Sequence, residues 1–397
     1  MNPDLNRLQP YPFEKLAELK QGATPPQQLA HIALSIGEPK HAPPAFVLRE
    51  LGARLDGVGQ YPLTRGMPAL REAIARWLQA RFGLNSGIDA ETQILPVNGT
   101  REALFAFAQA MIDRSNRPAI LMPNPFYQIY EGAAFLSGAE PLFYNTTTDN
   151  NDLPDFAAIS DAHWQACQLL YICTPGNPTG AVIPQDQLQM LIEKAEQYDF
   201  IIASDECYSE IYFDENNPPC GLLEAAEAMG NTDYKHCVVF HSLSKRSNLP
   251  GLRSGFVAGD ADVMQAFFKY RTYHGCAMPP PTQLASISAW NDEEHVRENR
   301  RLYKQKFDAV LEILAPVLDV RLPDAGFYLW PRTPIADTDF AQQLFAQQNV
   351  TVLPGRYLSR DAEGINPGVN HIRMALVATV DETVTAADRI HQFITSL

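Results

Sequence analysis

Polar side chains that could do chemistry follow the short apolar runs of this chain, which are PAILM, CQLLYIC, FIIAS and CVVFH. The residues found just after these runs are Tyr127, Asn177, Asp205, Tyr208, Ser242, Ser244 and Lys245. Ligands of an open parallel sheet bind at the carboxyl ends of its strands. The pattern therefore predicts one site that combines an amine, a carboxylate, an amide, phenols and hydroxyls.

A second group of residues is suited to an anion. Gly99, Thr100 and Arg101 stand at the start of a helical stretch, where free N–H groups and the helix dipole favour a phosphate. Arg253 follows in HSLSKRSNLPGLRSGF, where we expect Gly251 to let the backbone turn back towards the same group. Because the formal net charge is −15, an anionic ligand needs such a local cluster of cations.

Each of these residues also has a structural interpretation. Asp205 could cap the segment after its strand, and Asn177 could serve the turn GNPTG. Tyr127 and Tyr130, three residues apart, could pack together, and Arg253 could be a solvated charge. Taken singly, most of these residues favour the structural interpretation. Their joint occurrence at successive strand ends favours a common ligand.

The ligand that would use the whole set has a phosphate, an aromatic ring, a ring nitrogen, a phenolic oxygen and a carbonyl group. Pyridoxal 5'-phosphate has all five, and its carbonyl condenses with a lysine amine. The nucleotide motifs GxxxxGK[ST] and GxGxxG are missing from the expected places. The sequence therefore predicts pyridoxal phosphate as the cofactor and no metal site.

The elements that must position these residues alternate between helices and strands. Apolar runs are separated by amphipathic stretches at 70–83, 99–112 and 185–198. This alternation predicts an α/β fold with a mostly parallel sheet that is covered on both faces. A short helix is predicted over 12–20.

After about residue 285 the pattern changes. A long charged helix over 292–314 leads into the strand-like stretches FYLW, NVTVLP and HIRMAL. We therefore predict a large cofactor-binding α/β domain over 45–285. Residues 1–44 and 286–397 are predicted to form a smaller α+β domain.

Composition restricts the partners and the location. With 397 residues, 46% hydrophobic and 19% charged, the chain has the size and composition of a soluble enzyme. Its negative charge argues against nucleic acid and anionic membranes, and no apolar run is long enough to span a bilayer. The six cysteines show no CxxC pair and the N-terminus has no signal-peptide pattern, so a cytoplasmic location is predicted.

At this point the sequence resembles the class I aminotransferases of the fold-type I pyridoxal-phosphate superfamily, over nearly its whole length. The stretches that carry the resemblance are SLSKRSNLPGLRSG, PGNPTG, SDECY, NHIRMAL, YPLTRGMPALREAI and SIGEPK. One departure is Ser254, where the family more often has an aliphatic residue. That position is not expected to touch the cofactor.

Carried over to this sequence, the resemblance implies that Lys245 is the Schiff-base lysine and proton carrier. It implies that Asp205 pairs with the pyridine nitrogen, that Asn177 and Tyr208 bind the phenolic oxygen, and that Tyr127 stacks on the ring. The residues implied to bind the phosphate are Gly99, Thr100, Arg101, Ser242, Ser244 and Arg253.

The resemblance also implies a homodimer with shared active sites. Tyr61 resembles the tyrosine that reaches the phosphate of the neighbouring subunit. Arg373 would bind the substrate α-carboxylate in a bidentate manner, helped by Gly37 and Asn177.

The reaction implied is a ping-pong transamination. An amino acid displaces Lys245, whose amine then moves a proton from the substrate Cα to the cofactor, and a second oxo acid reverses the steps. We expect the positive charges of Arg246 and Arg253 to lower the pKa of the Lys245 amine.

Three stretches resemble the proteobacterial succinyldiaminopimelate aminotransferases of lysine biosynthesis, namely MNPDLNRLQPYPFEKL, SKRSNLPGLRSGF and VLPGRYLSR. The resemblance implies glutamate as amino donor and N-succinyl-2-amino-6-oxopimelate as acceptor. An aminotransferase for aspartate, acetylornithine or aromatic substrates and a C–S lyase remain as alternatives. The candidates for a cation that binds the distal carboxylates are Lys40, Arg65, Arg271 and Arg356. For each of them the residue type alone favours a solvent-facing salt bridge over this role.

Overall fold

The structure is a computed structural model that describes residues 1–275 and 277–397, so Cys276 lies outside the described residues. The α-helices in these ranges are α1 (Pro12–Leu19), α2 (Ala45–Ala53), α3 (Pro68–Phe82), α4 (Thr100–Met111), α5 (Gln128–Ser137), α6 (Asp161–Ala166), α7 (Gln185–Tyr198), α8 (Leu222–Ala228), α9 (Leu243–Arg246), α10 (Ala261–His274), α11 (Pro280–Trp290), α12 (Glu294–Leu314), α13 (Asp337–Gln348) and α14 (Val380–Thr395). The strands are β1 (Ile32–Ala33), β2 (Ile94–Val97), β3 (Ala119–Asn124), β4 (Glu140–Asn145), β5 (Cys167–Cys173), β6 (Ile201–Asp205), β7 (Cys237–Ser242), β8 (Gly255–Gly259), β9 (Tyr328–Leu329), β10 (Val350–Thr351), β11 (Leu353–Pro354) and β12 (Ile372–Ala375).

A seven-stranded sheet organises the first two thirds of the chain, with the strand order β2-β8-β7-β6-β5-β3-β4. The strands from β7 to β4 in this order are all parallel to one another. Only β8 runs antiparallel to both of its neighbours. The predicted α/β fold with a mostly parallel sheet is confirmed.

The sheet is buried because its strands are apolar on both faces. Every residue of β3 and of β7 is buried. Helix α7 covers the sheet with Leu188, Leu191, Ile192 and Ala195, which recur at the three- and four-residue spacing of one helix face. With the strands enclosed in this way, the polar side chains that follow them are brought to one edge of the sheet.

Strand β8 was not predicted from the sequence. After β7 the chain reverses through Asn248 and Arg253, which both adopt a left-handed conformation with φ of 52°. The backbone does turn at Gly251, as part of a short 3₁₀ helix (Pro250–Leu252), but this residue has no positive φ. The strand ends at Gly259, where a Cβ would lie 2.0 Å from the carbonyl oxygen of Cys237.

The C-terminal elements form a three-stranded sheet with the order β11-β12-β9, which is antiparallel throughout. Strand β1 of the N-terminal segment pairs with β10, next to a core that includes Phe307, Leu344 and Phe393. The division into domains at about residue 285 stays a prediction.

In the described ranges, no helix is both long enough and apolar enough to cross a membrane. The free cysteines there are Cys167, Cys173, Cys207, Cys220 and Cys237. Cys276, which the sequence analysis grouped with them, is outside the described part.

Candidate active site

The polar residues that follow the apolar strands meet around one cavity of about 530 Å³. The predicted site residues in its lining are Gly37, Thr100, Arg101, Tyr127, Asn177, Asp205, Tyr208, Ser242, Ser244, Lys245, Arg253 and Arg373. Gly99 directly precedes Thr100, whereas Tyr61 is outside this lining. A second cavity, of about 400 Å³, shares only Tyr328 with the first among its described lining residues. We therefore take the first cavity as the candidate active site.

Lys245 lies on α9, which begins directly after β7. Its Nζ donates a hydrogen bond to the carbonyl oxygen of Gly37 and lies 5.4 Å from the centroid of the Phe327 ring. Burial lowers the pKa of the Lys245 amine to about 8, with smaller contributions from the positive charges of Arg373 and Arg253. A substantial neutral fraction of this amine is therefore available near neutral pH, as a base requires.

Arg246, the next residue, points away from the cavity. Its guanidinium packs between Trp77 and Trp290, donates a 2.8 Å hydrogen bond to the carbonyl oxygen of Ala289 and forms an ion pair with Glu293. The predicted effect of Arg246 on the pKa of Lys245 is wrong. The reason is that its charge is directed into a different part of the core and is neutralised there.

The first turn of α4 and the loop after β7 form a cradle for an anion. Ser242 Oγ donates to Ser244 Oγ at 2.9 Å, and Arg253 Nη1 lies 3.5 Å from the same Ser244 oxygen. Arg253 forms no ion pair within the described part of the chain. Across the cradle, Gly99 caps α4 with φ of 84°, and a Cβ there would lie 2.2 Å from Arg253 Nη2. The space in front of the helix is thus shaped for a phosphate.

Asp205 ends β6 and is buried. It accepts hydrogen bonds from Tyr130 Oη at 2.7 Å and from the Cys207 N–H at 3.3 Å. Burial raises the pKa of the Asp205 carboxyl. Among the described residues it has no ion-pair partner, so it can accept a cationic ring nitrogen. The amine, the cradle and this carboxylate together fit pyridoxal phosphate.

We expect Gly99→Ala to weaken cofactor binding without unfolding the protein. The new Cβ would push the Arg253 guanidinium out of the cradle, because the atoms nearest to it belong to that flexible group. Titration of the cofactor-free protein with pyridoxal phosphate should show a dissociation constant raised roughly tenfold or more.

Gly83→Ala is the matched control for this variant. Gly83 also has a positive φ, of 63°, but nothing lies within 4 Å of its Cβ position. It therefore reports backbone strain alone, which costs about 1–2 kcal/mol of stability. Equal cofactor affinity in the two variants would contradict the role of the glycine in the cradle.

The substrate side of the cavity is built around Arg373 on β12. Its Nη1 donates to Asn177 Oδ1 at 3.0 Å and its Nη2 to the Ser35 carbonyl oxygen at 2.9 Å. The side chain is buried, its Nε has no hydrogen-bond partner in the described part, and no carboxylate there forms an ion pair with it. A buried cation of this kind is suited to an anionic ligand.

Tyr328 connects the two sides of the cavity. Its Oη lies 2.9 Å from Tyr208 Oη, and its ring lies 4.6 Å from the guanidinium carbon of Arg373. A Cβ at Gly37 would lie 2.0 Å from the Tyr328 oxygen, so only glycine fits at that position. The Tyr328 side chain therefore lies next to both Gly37 and Tyr208, which were predicted separately.

Arg101 and Tyr127 lie next to the N-terminal segment. The Arg101 guanidinium donates to Tyr11 Oη and lies near the Tyr127 phenol. Burial raises the pKa of the Tyr127 phenol, so this group stays neutral. The guanidinium is thus held between two phenols in the wall of the cavity.

Four cations were predicted as candidates for distal carboxylates, and none of them lines the cavity. Arg271 is buried in a bidentate contact with Glu102 at 3.0 and 2.8 Å, and Arg356 is paired with Asp337. Arg65 lies over the ring of Phe268, and Lys40 is exposed. Contacts within the protein therefore account for the three arginines, and none of the four cations is placed to bind a ligand in this cavity.

Tyr61 is fully exposed in the single chain, and several apolar neighbours along the sequence are more than half exposed. The exposed apolar residues of this stretch are Leu55, Val58, Tyr61 and Leu63. The predicted contact of Tyr61 with a neighbouring subunit stays a prediction.

Sequence reasoning missed several lining residues, which are Tyr11, Pro12, Phe13, Ile36, Gln128, Cys207, Pro250, Tyr328, Leu353 and Leu358. Cys207 lies between Asp205 and Tyr208, and Tyr328 is the second residue of the stretch FYLW, so both had a local signal. Nothing in the sequence indicates that Tyr11 folds over the cavity, because this contact joins distant parts of the chain.

Residues 30–390 match the family described as aminotransferase class I and II. A curated relative, the LL-diaminopimelate aminotransferase of Maridesulfovibrio salexigens, is 30% identical over 392 residues, which cover 97% of each chain. An aminotransferase of Neisseria meningitidis is 49% identical with a TM-score of 0.95, over 99% of this chain and 100% of that one. A probable N-succinyldiaminopimelate aminotransferase of Thermus thermophilus is 26% identical with a TM-score of 0.85, over 96% of this chain and 99% of that one.

These matches extend over almost the whole chain and confirm the resemblance that the sequence motifs carry. Members of the matched family depend on pyridoxal phosphate. The chain therefore belongs to the aminotransferase class I and II family and is a fold-type I, pyridoxal-phosphate-dependent aminotransferase.

Proposed function

We propose that this enzyme transfers an amino group between glutamate and N-succinyl-2-amino-6-oxopimelate, as an N-succinyl-L,L-diaminopimelate:2-oxoglutarate aminotransferase of lysine biosynthesis. The observation that supports an amino-acid substrate is Arg373, a buried cation with no carboxylate partner in the described chain. It lines the same cavity as the Lys245 amine. This pairing supports a substrate that has an α-carboxylate next to its reacting carbon.

In the proposed site, Gly99, Thr100, Ser242, Ser244 and Arg253 bind the cofactor phosphate, with N–H groups and hydroxyls as well as charge. The Arg101 side chain, which the resemblance places in this set, has a different role in the proposal, since its guanidinium is directed to Tyr11 of the N-terminal segment. A guanidinium has five N–H donors, so this contact leaves others for a carboxylate. The backbone N–H of Arg101 remains available in the first turn of α4.

Bound pyridoxal phosphate supplies a carbonyl that takes up the amino group and a ring that withdraws electrons. Asp205 would hold a proton on the ring nitrogen, Asn177 and Tyr208 would hydrogen-bond the phenolic oxygen, and Tyr127 would pack against the ring. The neutral amine of Lys245 accepts the proton from the substrate Cα. Arg373 fixes the α-carboxylate, with Gly37 and Asn177 beside it, so that this Cα–H bond faces Lys245.

Diaminopimelate chemistry is supported by the names of two relatives. One is named for LL-diaminopimelate and another, as a probable enzyme, for N-succinyldiaminopimelate. Free diaminopimelate differs from the succinylated compound by a distal ammonium group, which a carboxylate would recognise. Asp205 is the only acidic residue in the described lining, and it is engaged by Tyr130. The lining therefore favours the succinylated substrate.

The wall near the N-terminal segment supports a long acidic substrate as well. Phe13, Ile36, Leu353 and Leu358 provide apolar surface for methylene groups. Leu353 and Leu358 come from the stretch VLPGRYLSR, which carried part of the sequence resemblance. Arg101, in the same lining, is the cation that the four earlier candidates did not provide.

A substrate panel tests the proposal. The purified enzyme is incubated with 2-oxoglutarate and N-succinyl-L,L-diaminopimelate, LL-diaminopimelate, acetylornithine, aspartate or phenylalanine, and glutamate formation is measured. The highest kcat/KM is expected for the succinylated compound. A higher value for LL-diaminopimelate, or for any of the other amines, would overturn the acyl specificity but not the family. Pyruvate release from cystathionine would instead indicate a C–S lyase.

Arg101→Ala should raise KM for the succinylated substrate roughly tenfold to a hundredfold, because a charged hydrogen bond to the distal carboxylate is lost. The half-reaction with alanine, which has no distal carboxylate, should be unchanged. The cofactor dissociation constant should also be unchanged, since the backbone N–H remains. Arg65→Ala, which changes a half-buried arginine outside the cavity lining, is the matched control. An equal loss with alanine as substrate would refute the distal role.

We also propose a large domain over 45–285 and a smaller one over 1–44 and 286–397. A homodimer with Tyr61 at the partner's cofactor phosphate is a further part of the proposal. The exposed apolar stretch around Tyr61 supports it, because such surface is commonly covered in assemblies. Sedimentation of the enzyme and of a Tyr61→Ala variant, with cofactor titration of both, tests it. We also propose a cytoplasmic location, which the free thiols support.

A further inference from the structure

We propose that Tyr130 is a positioning residue that keeps Asp205 ionised and aimed at the ring nitrogen of the cofactor. The inference rests on the cofactor of the family and does not depend on which substrate the enzyme uses. In the sequence, Tyr130 has only the packing interpretation that its spacing from Tyr127 suggests. No step described so far uses its hydroxyl group.

The geometry shows a phenol that is held in place. Tyr130 lies in α5 and is fully buried, and its Oη donates a 2.7 Å hydrogen bond to Asp205 Oδ2. Its ring stacks on Tyr171 with centroids 4.7 Å apart and planes inclined by 15°. The edge of Tyr127 meets it at 5.8 Å and 87°. With three aromatic rings packed together, the hydroxyl has little freedom to leave the carboxylate.

Several other titratable groups surround Asp205, and Tyr130 is the strongest hydrogen-bond donor to it. The titratable groups that face the carboxylate are Tyr127 and Tyr130 from the α5 region, Tyr171 and Cys173 from β5, Cys207 from the loop after β6, and His241 from β7. Burial raises the pKa of Asp205, and the Tyr130 hydrogen bond is the largest of the contributions that lower it. The Tyr130 hydrogen bond therefore favours the charged form of Asp205, which burial disfavours.

The hydroxyl therefore acts on the reaction through Asp205. An ionised Asp205 stabilises a proton on the ring nitrogen, and this proton makes the ring an effective electron acceptor. Loss of the donor raises the pKa of Asp205, because the charged form loses its hydrogen bond. The acid limb of the activity profile, on which Asp205 takes up a proton, then moves to higher pH.

Tyr130→Phe tests this role, with Tyr171→Phe as the matched control. Both changes remove one buried hydroxyl from stacked rings, but Tyr171 Oη donates to the Leu104 carbonyl oxygen and not to Asp205. Tyr130→Phe should raise the dissociation constant of pyridoxal phosphate and lower kcat for the alanine half-reaction by roughly 10- to 100-fold. Its acid limb should shift upward by about one pH unit, while Tyr171→Phe leaves the limb in place.

A double-mutant cycle shows whether the effect passes through Asp205. In an Asp205→Asn background, Tyr130→Phe should cost little further kcat, because the ionised carboxylate is already lost. Full additivity of the two losses would overturn the proposal. So would equal effects of Tyr130→Phe and Tyr171→Phe on cofactor affinity and pH profile, since they would indicate a packing role only.

If Tyr130→Phe does not fold, a substitution that preserves the packing of the ring can be used instead. Tyr130→3-fluorotyrosine keeps the ring and makes the hydroxyl a stronger donor. It should move the acid limb to lower pH, opposite to the phenylalanine variant. An unchanged limb would contradict the role of the hydroxyl. Because each readout uses cofactor binding or the alanine half-reaction, failure here is distinct from failure of the proposed substrate.

Discussion

Lys245→Ala is expected to lower kcat for amino-group transfer by roughly 10²- to 10⁴-fold, the range that a positioned acid–base group contributes. The amine is the only lysine amine in the described lining, and burial lowers its pKa to about 8. Alanine removes the group that carries the proton from the substrate Cα. The loss should be measured in single-turnover half-reactions with glutamate, and a small added amine should restore part of the rate.

Lys306→Met is the matched control for Lys245. Lys306 is also buried, and burial lowers its pKa to about 7. Its Nζ, however, donates to the Leu376 carbonyl oxygen at 3.2 Å, and the residue is not part of the cavity lining. Methionine keeps the length of the side chain, so kcat per folded molecule should be unchanged. Similar losses in the two variants would refute the catalytic assignment of Lys245.

The low pKa of Lys245 also has a pH signature. A lysine whose pKa is depressed is neutral above that pKa, so its nucleophilic fraction rises as pH increases through about 8. In the cofactor-free enzyme, the rate at which an amine-reactive acylating reagent modifies Lys245 should follow this rise. The rate should become constant at pH values well above the pKa. Peptide mass spectrometry identifies the modified residue. A midpoint near that of an exposed lysine would contradict the burial argument.

Arg373→Ala is expected to lower kcat/KM for amino-acid substrates by roughly 10²- to 10³-fold, mostly through KM. The change removes the donors that are free for an α-carboxylate and leaves Asn177 Oδ1 and the Ser35 carbonyl oxygen without their present donor. Steady-state kinetics with glutamate as donor measure the loss. The cofactor dissociation constant should change little, because other residues form the phosphate cradle.

Two controls separate carboxylate binding from a structural effect of Arg373. Arg373→Lys keeps the charge but not the planar donor fork, so an intermediate loss is expected. An amine substrate that lacks the α-carboxylate should react as slowly with the Arg373→Ala variant as with the unmodified enzyme. If the variant loses as much activity towards that amine as towards glutamate, Arg373 does not recognise the carboxylate.

Much of the sheet and of the cofactor side of the cavity could be predicted from the chain. Lys245 follows Ser242 by three residues, and Asp205 ends its own strand, so each position depends on a short stretch. Parallel strands joined by helical crossovers bring their carboxyl ends to the same edge. Asp205, Asn177 and Ser242 therefore had to converge once the apolar runs were read as neighbouring strands.

Other features depend on contacts between distant segments. The antiparallel strand β8 comes after a chain reversal with left-handed residues at Asn248 and Arg253. Asparagine tolerates this conformation, but nothing local indicates it for the arginine. Arg246 was expected near Lys245 because it is the next residue. Its direction is set instead by Trp290 and Glu293, which belong to a later part of the chain.

The amino-acid sequence alone was enough for the chemistry of the cofactor, because that chemistry needs a few residue types at strand ends that local patterns reveal. The environment of those residues required the folded chain. Tyr208 meets Tyr328 across 120 residues and Arg101 meets Tyr11 across 90 residues, and no periodicity links such positions. Burial, which lowers the pKa of Lys245 and raises that of Asp205, is likewise a property of packing. The reacting groups are thus local in the chain, while their charge states and partners arise from tertiary contacts.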